Sequence, residues 1–181
     1  MSVTGPFAVV GPSGVGKDTV MEAVRSADPR VVLVRRVITR PAAAGGEAFE
    51  GVDRAAFAAM KAAGDFALDW EAHGLAYGIP VSIHDDLAAG RPVLFNGSRA
   101  MLAEAAQVFP GLRVLSITAT DDVLAARLRA RGREREDQIA QRLARAKLPL
   151  PDGLRVTEID NSGALDSAVK AVRAALQPVR A

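Results

Sequence analysis

The sequence predicts an α/β fold in which a parallel sheet is flanked by helices. Three observations lead to this prediction. Short apolar runs of strand length recur along the chain, most of them are followed by a segment with helical periodicity, and a glycine-rich turn joins the first such strand to its helix. Strands that alternate with helices favour parallel pairing, because the connecting helices cover both faces of the sheet.

Size and composition agree with a globular α/β protein. The 181 residues are enough for one domain with a hydrophobic core, and 49% of them are hydrophobic and 24% charged. No apolar run reaches the roughly 20 residues of a membrane helix, and "MSVTGPFAVV" does not look like an export signal, so we expect a cytoplasmic protein. The absence of cysteine excludes disulfides and thiolate chemistry, and fits a reducing compartment.

The elements of the sheet are assigned in chain order. "FAVV" (7–10) is the first strand, 17–26 the first helix, and "VVLVRRVIT" (31–39) a second strand. Residues 41–51 are expected to form a loop and 53–64 a helix that stops at Gly64, followed by short segments at "FALDW" and "LAYGIP" that cover a substrate. The later strands are 93–96, 113–118 and 154–160, and the later helices 99–107, 121–131, 139–146 and 164–176.

The turn after the first strand has the spacing of a phosphate-binding loop. In "GPSGVGKDT", four residues separate Gly11 from the Gly16–Lys17 pair, between an apolar strand and a helix. Glycines let consecutive backbone N–H groups point at an anion, and the helix adds its positive end. The loop therefore predicts a P-loop NTPase fold that binds ATP through the following residues: Gly11, Pro12, Ser13, Gly14, Val15, Gly16, Lys17, Asp18 and Thr19.

Asp18 stands where such a loop normally has a serine or threonine that binds magnesium. A carboxylate is a good oxygen ligand for Mg²⁺, which would make Asp18 the metal-binding residue. Alternatively, Asp18 turns away and only favours the positive end of the helix. The residue sequence leaves both readings open. Thr19 can supply a hydroxyl to the α-phosphate, and Asn96 ends a strand where many NTPases place an acidic residue.

Arginines dominate the basic residues, with 19 Arg against 4 Lys at a net charge of +2. Arg127 and Arg131 share a helix face, and Arg142 follows on the next helix. Positioned guanidinium groups stabilise the charge that develops in phosphoryl transfer, so these three and Lys17 are the predicted catalytic residues, and their helices a lid. Arg133 and Arg135 are expected to form surface ion pairs. A near-neutral chain without interleaved aromatics argues against nucleic-acid binding.

An ordered set of motifs resembles the guanylate kinase group of P-loop kinases over nearly the whole chain. The matching pieces are "GPSGVGKDT", "TRPAAAGGE", "FALDW", "HGLAYGIP", "RLRARGR", "QRLARA" and "IDNSG". The resemblance implies one domain over 1–181, with a core at 1–34 and 91–181, an acceptor-binding region at about 35–90 and a lid at about 127–146. It also implies that Arg127, Arg131 and Arg142 are lid arginines, that Arg40 binds the acceptor's phosphate, and that Asn161 lies near the adenine.

The acceptor region departs from the guanylate kinase pattern. Ala43 replaces a phosphate-binding arginine, Arg54 a tyrosine and Ile79 a guanine-contacting serine. Asp69 stands for the acidic residue that reads guanine, Tyr77 is kept, and "FNGSRA" loses an aspartate and gains Arg99. A site built for guanine needs paired polar contacts, so these changes predict a phosphorylated acceptor without guanine. The predicted acceptor-binding residues are Arg40, Asp69, Tyr77, Asn96 and Arg99.

With these changes, the chain resembles the ribose 1,5-bisphosphate phosphokinases, a guanylate-kinase-like family of phosphonate catabolism. "GPSGVGKDT", "HGLAYGIP" and "NGSRA" carry this resemblance. It implies ATP-dependent phosphorylation of ribose 1,5-bisphosphate to 5-phosphoribosyl 1-diphosphate, with ATP and Mg²⁺ and a small phosphorylated sugar as partners, and no membrane. Two alternatives stay open: a divergent guanylate kinase, and a non-catalytic interaction module, against which the intact Gly16–Lys17 pair argues. The oligomeric state is not predicted.

Overall fold

A computed structural model describes residues 5–44 and 47–177. Strands and helices alternate along most of this chain. In order, the elements are β1 (Phe7–Val10), α1 (Lys17–Ala27), β2 (Val32–Leu33), β3 (Val37–Ile38), β4 (Glu50–Gly51), α2 (Arg54–Ala63), β5 (Phe66–Ala72), β6 (Leu75–Pro80), α3 (Ile83–Ala88), β7 (Val93–Asn96), α4 (Leu102–Val108), β8 (Arg113–Thr118), α5 (Asp121–Arg131), α6 (Glu136–Ala146), β9 (Val156–Asp160) and α7 (Leu165–Leu176). Short 3₁₀ turns cover Ala42–Ala44 and Arg99–Met101.

The central sheet has five strands in the order β2-β7-β1-β8-β9, and all of its pairings are parallel. β1 is buried on both faces, as a central parallel strand must be. Phe7 and Val9 face a cluster formed with α1, α5 and α7, which we call the α7-side cluster. Ala8 and Val10 face the opposite cluster, which contains α4 and is called the α4-side cluster. The parallel sheet with helices predicted from the sequence is confirmed.

A second sheet has four strands in the order β4-β3-β6-β5. β5 and β6 form an antiparallel hairpin that turns at His73 and Gly74, both with positive φ. One face of this sheet packs on α2 through Val37, Phe57 and Ala76. The other face contributes three buried residues to the α4-side cluster: Leu68, Trp70 and Ile79. The segments "FALDW" and "LAYGIP" are therefore strands that share the core, so the expectation that they cover a substrate rather than form core layers is wrong about the core.

The prediction of a single strand over 31–39 is wrong, because this segment belongs to two sheets. β2 pairs with β7, and the Val34 N–H still donates to the Leu94 carbonyl at 2.9 Å. β3 pairs with β4 and β6 instead, and the Arg36 carbonyl accepts from the Glu50 N–H at 2.8 Å. Both halves are rich in valine, so the apolar pattern runs through the crossing and hides it. Residues 34–36 thus join the two sheets.

Helix ends follow local signals. At α2, the Asp53 carboxylate accepts from the Ala56 N–H at 2.7 Å and Gly64 has φ 81°, which confirms the predicted helix and its stop. The helix expected at 99–107 opens as a 3₁₀ turn, and the helix expected from 139 already begins at Glu136.

In the parts of the chain at 5–44 and 47–177, no helix is both long and apolar enough to cross a bilayer.

Candidate active site

The phosphate-binding loop lies between β1 and α1, at the carboxyl edge of the central sheet, where parallel α/β proteins bind ligands. Gly14 and Gly16 have φ of 87° and 93°, a region that favours glycine. A Cβ at Gly16 would lie 2.9 Å from the Asn161 Nδ2, and one at Gly14 would lie 2.9 Å from the Leu128 Cδ2. These close approaches explain why the loop needs glycine at both positions.

Lys17 opens α1 and turns its side chain back over the loop. Its Nζ donates to the Gly11 carbonyl at 2.8 Å. Burial lowers the pKa of the Lys17 ammonium, and the nearby cations Arg36 and Arg131 lower it further, while the carboxylates of Asp18 and Glu47 oppose this effect. The charges of several groups of both signs therefore act on Lys17. A partly buried ammonium near other cations is stabilised by an anionic ligand.

Asp18 lies in the first turn of α1 and points toward the end of β7. One carboxylate oxygen accepts from the Asn96 amide at 2.9 Å, and Asn96 is only 8% exposed. The two residues that depart from the usual loop and strand pattern are thus in contact with each other. Asp18 itself is solvent-exposed, as is Thr19, so its carboxylate is accessible beside the loop.

Arg127 of α5 contacts the phosphate-binding loop rather than solvent. Its guanidinium donates to the Val15 carbonyl at 3.0 Å and to the Asn161 carbonyl at 2.8 Å. The Asn161 amide donates to the same Val15 carbonyl at 2.9 Å, and its Oδ1 is buried without a partner in the described chain. The residue predicted near adenine and one predicted lid arginine therefore meet at the Val15 carbonyl of the loop.

The two other predicted lid arginines lie further out. Arg131 is exposed at the end of α5, next to the turn at Gly132. Arg142 of α6 pairs with Glu134 at 3.1 Å, and the Glu134 side chain is 10% exposed. Arg135 pairs with Asp137 at 2.9 Å, which confirms the surface ion pair expected there.

Arg99 was predicted to bind the acceptor, and the structure places it against α6, a helix of the predicted lid. Its guanidinium donates to the Arg145 carbonyl at the end of α6, at 2.9 Å. At the same end of α6, Lys147 pairs with Asp121 at the start of α5, at 2.7 Å. These contacts connect the end of α6 to the 3₁₀ turn after β7 and to the start of α5.

The remaining predicted acceptor residues divide between two faces of the second sheet. Tyr77 stacks on its cross-strand partner Trp70, with ring centroids 5.3 Å apart. Asp69 precedes Trp70, so it points to the opposite face, where it accepts from Lys61 at 2.6 Å. It lines a cavity of about 480 Å³ beside α2. Arg40 lies over the Phe49 ring, 4.2 Å from its centroid.

The sequence prediction missed Arg36 and Glu47. Arg36 is 7% exposed, and Glu47 accepts from its Nε at 3.1 Å and also from its Nη2. The Arg36 guanidinium lies 4.9 Å from the Tyr77 ring centroid and 5.7 Å from that of Trp70. One signal could have found it: an arginine inside an otherwise apolar strand pattern must either face solvent or be paired, and "VVLVRRVIT" contains two.

Comparison with known proteins adds to this geometry. The chain is 53% identical over 176 residues to the ribose 1,5-bisphosphate phosphokinase PhnN of a Ruegeria species, covering 97% of this chain and 93% of that protein. It is 46% identical over 174 residues to the protein of the same name in Agrobacterium fabrum, covering 94% and 95%. It is also 48% identical to a bifunctional ribose 1,5-bisphosphokinase-thymidine phosphorylase of Azorhizobium caulinodans, of which it spans 26%. No family model matches the chain.

Solved structures show the same fold. A guanylate kinase from Anaplasma phagocytophilum aligns with a TM-score of 0.68 at 19% identity, over 99% of this chain and 89% of that one. A gluconokinase from Sinorhizobium meliloti aligns with a TM-score of 0.55, also at 19% identity, over 97% and 93%. At this identity the likeness concerns the fold alone, which is the predicted P-loop kinase architecture.

Proposed function

Because the chain belongs to the ribose 1,5-bisphosphate phosphokinase family, we propose that it transfers the γ-phosphoryl group of ATP to ribose 1,5-bisphosphate. The products are 5-phosphoribosyl 1-diphosphate and ADP. The observation that carries the proposal is the phosphate-binding loop, over which the partly buried Lys17 turns back to donate to the Gly11 carbonyl at 2.8 Å. The proposal includes a role in phosphonate catabolism and a cytoplasmic location, as expected from the sequence.

ATP is held by the loop in this proposal. The backbone N–H groups of the loop and the start of α1 receive the phosphates, and Lys17 exchanges its carbonyl partners for the β- and γ-phosphates. Asn161 has a buried Oδ1 without a partner among the described residues, which fits an N–H donor such as the adenine amino group. The loop and its immediate neighbours therefore suit a purine nucleoside triphosphate.

Asp18 would hold Mg²⁺ together with the nucleotide, and the ion would offset the negative charge of the phosphates. Within 5–44 and 47–177 no group of three or more carboxylates or imidazoles could hold a metal ion by itself. Mg²⁺ commonly keeps several waters and takes one or two carboxylates together with substrate phosphates. The exposed Asp18, which is hydrogen-bonded to Asn96, fits the role of a single carboxylate ligand of this kind.

The chemistry is an in-line phosphoryl transfer. An oxygen of the acceptor's 1-phosphate attacks the γ-phosphorus, a new P–O–P bond forms, and the bond to the β-phosphate oxygen breaks to release ADP. The attacking oxygen is already ionised near neutral pH, so no general base is needed and catalysis consists of positioning and charge neutralisation. We assign the neutralisation to Lys17, Arg131 and Arg142, and acceptor binding to the second sheet with Arg40 and Tyr77.

The test is a pair of acceptor assays with ATP and Mg²⁺. We expect ribose 1,5-bisphosphate to be converted to 5-phosphoribosyl 1-diphosphate, identified by ³¹P NMR of the new diphosphate, and GMP to be left unchanged. Turnover of GMP alone would reject the proposal and leave a divergent guanylate kinase. Failure to bind ATP with Mg²⁺ would instead favour a non-catalytic module.

Lys17→Ala tests the site that the proposal uses. We expect its kcat to fall by at least about 100-fold, because a positioned cation on the transferring phosphate is lost. Lys170→Ala removes the same charge from an exposed position on α7 and serves as the matched control. Equal rates for the two variants would show that Lys17 does not act on the phosphates.

A further inference from the structure

We propose that Arg36 binds a phosphate group of the acceptor, and that Glu47 holds its guanidinium in the required orientation. This inference rests on the proposed function, because it concerns the acceptor that the function names. It assigns to Arg36 the part of acceptor recognition that distinguishes a sugar bisphosphate from a neutral or singly phosphorylated sugar.

The position of Arg36 is the first reason. The chain leaves the central sheet after Val34 and enters the second sheet at β3, so Arg36 lies where the two sheets meet. This junction lies beyond the carboxyl end of β2, on the edge of the central sheet that also carries the phosphate-binding loop and Asn96. A side chain there can contact a molecule that bridges the donor site and the second sheet.

The second reason is the way in which the guanidinium is held. Glu47 contacts Nε and Nη2, so the Nη1 amino group remains on the side that Glu47 does not occupy. The aromatic rings of Tyr77 and Trp70 contribute a further surface next to the guanidinium plane. A guanidinium fixed on one edge by a carboxylate and over rings is pre-organised, so little conformational entropy is lost when another edge binds an anion.

The third reason is the charge around Lys17. Arg36 and Arg131 both act on Lys17 as neighbouring cations, which places the Arg36 charge in the field of the transferring phosphates. Burying a cation is unfavourable unless it is paired, and the two carboxylates of Asp18 and Glu47 balance only two of the three cations Lys17, Arg36 and Arg131. A second anion beside Arg36 would complete the balance. Bidentate guanidinium binding is the usual way to recognise a phosphate.

Trp70 makes this proposal directly measurable. It is the only tryptophan in the chain, and its ring stacks on Tyr77 and lies 5.7 Å from the Arg36 guanidinium. Phosphate binding at Arg36 changes the charge next to the indole and therefore its fluorescence. Ribose 1,5-bisphosphate is titrated without ATP, so that binding is observed separately from turnover.

We expect Arg36→Gln to raise the midpoint of this titration by at least about tenfold, since a charge-assisted bond to phosphate is lost. Arg36→Lys should fall between wild type and Arg36→Gln, because a lysine keeps the charge but not the paired geometry. The matched control is Arg35→Gln, which removes the neighbouring, exposed arginine whose guanidinium donates to the Phe49 carbonyl. Its midpoint should equal that of wild type.

Steady-state kinetics separate binding from a structural role. In Arg36→Lys and Glu47→Gln, the KM for ribose 1,5-bisphosphate should rise at least about fivefold while the KM for ATP stays within about twofold, because only acceptor binding is affected. A parallel rise of both KM values would indicate general disturbance and overturn the inference. These two milder variants also decide the matter if Arg36→Gln does not fold.

The outcomes distinguish the inference from the function on which it rests. If wild type turns over ribose 1,5-bisphosphate but Arg36→Gln binds it as Arg35→Gln does, only the inference fails. If wild type neither turns it over nor changes its fluorescence with it, the proposed function fails and takes the inference with it.

Discussion

At the scale of single residues, Asp18 and Asn96 are best understood together. Each departs from what a phosphate-binding loop and its neighbouring strand usually contain, and the two are hydrogen-bonded at 2.9 Å. The Asn96 amide fixes one carboxylate oxygen of Asp18. A carboxylate held in this way is oriented for a cation without needing a second acidic residue on β7. The exchange of residues at both positions therefore preserves one acidic group beside the loop.

Asp18→Asn tests whether this carboxylate acts on the metal. The substitution keeps the size of the side chain but removes its charge, so the Mg²⁺ concentration needed for half-maximal activity should rise by roughly tenfold. The measurement is a Mg²⁺ titration of the kinase rate at fixed ATP. A matched control is Glu22→Gln, an exposed acidic residue further along α1.

An unchanged Mg²⁺ titration in Asp18→Asn would contradict metal binding. It would support the other reading of the sequence, in which Asp18 only favours the positive end of α1. In that case the variant should lose a few tenths of a kcal/mol of stability, up to about 1 kcal/mol, with no change in its metal requirement.

Residues of the loop could be predicted from sequence because their spacing is fixed by the ligand. Four residues between Gly11 and Gly16, followed by Lys17, identify the loop in any α/β context. The apolar pattern around Arg36 indicates only that this arginine is either exposed or paired; its partners could not be predicted, because Glu47 and the rings come from other parts of the chain. No local spacing encodes such a contact. Asp69 is the opposite case. It occupies the motif position from which acceptor binding was predicted, but its carboxylate pairs with Lys61.

At the scale of elements, the loop and α5 fit each other closely. A Cβ at Gly14 would lie 2.9 Å from the Leu128 Cδ2, and Leu128 is fully buried in the α7-side cluster. Gly14 therefore has two requirements, its positive φ and its contact with α5. Gly153, in the loop before β9, has φ 78° and open space where a Cβ would lie.

Comparing Gly14→Ala with Gly153→Ala separates these two requirements. Both variants should lose about 1–2 kcal/mol of unfolding free energy, because alanine is strained at positive φ. Gly14→Ala should lose about 1–3 kcal/mol more, since Leu128 and α5 must shift to admit the methyl group. Urea unfolding of the two variants measures the difference. Equal losses of unfolding free energy would show that α5 accommodates the methyl group without further destabilisation.

An element could be predicted when the residues that define its ends lie within or next to its own sequence. α2 was predicted from its own sequence, because Asp53 and Gly64 cap it locally. The break between β2 and β3 was not, since the apolar pattern of 31–39 is continuous while its hydrogen-bond partners change from β7 to β4 and β6. Partner choice is a property of tertiary structure, and strand propensity does not record it.

At the scale of the whole molecule, the second sheet is not a separate body. Trp70, Leu68 and Ile79 of this sheet pack in the same cluster as Val93 and Phe95 of the central sheet. Shared apolar contacts of this kind couple the stability of the two sheets. We therefore expect the chain to behave as the single domain that the sequence predicts.

The prediction is one cooperative unfolding transition. Trp70 fluorescence reports the second sheet, and far-UV circular dichroism reports mainly the helices around the central sheet. The two signals should give the same urea midpoint within error, as two-state unfolding requires. An earlier fluorescence transition would contradict this and would indicate a second sheet that unfolds independently.

The Val15 carbonyl, which accepts from both Arg127 and Asn161, has a consequence for how the active site can close. These bonds tie α5 to the loop and to the residue that follows β9. If the site closes over its ligands, we expect the rotation to begin at Gly132, where φ is 65°, and to move α6 relative to α5. Arg142 would then move with α6, Arg131 would lie next to the pivot, and Arg127 would stay bound to the loop.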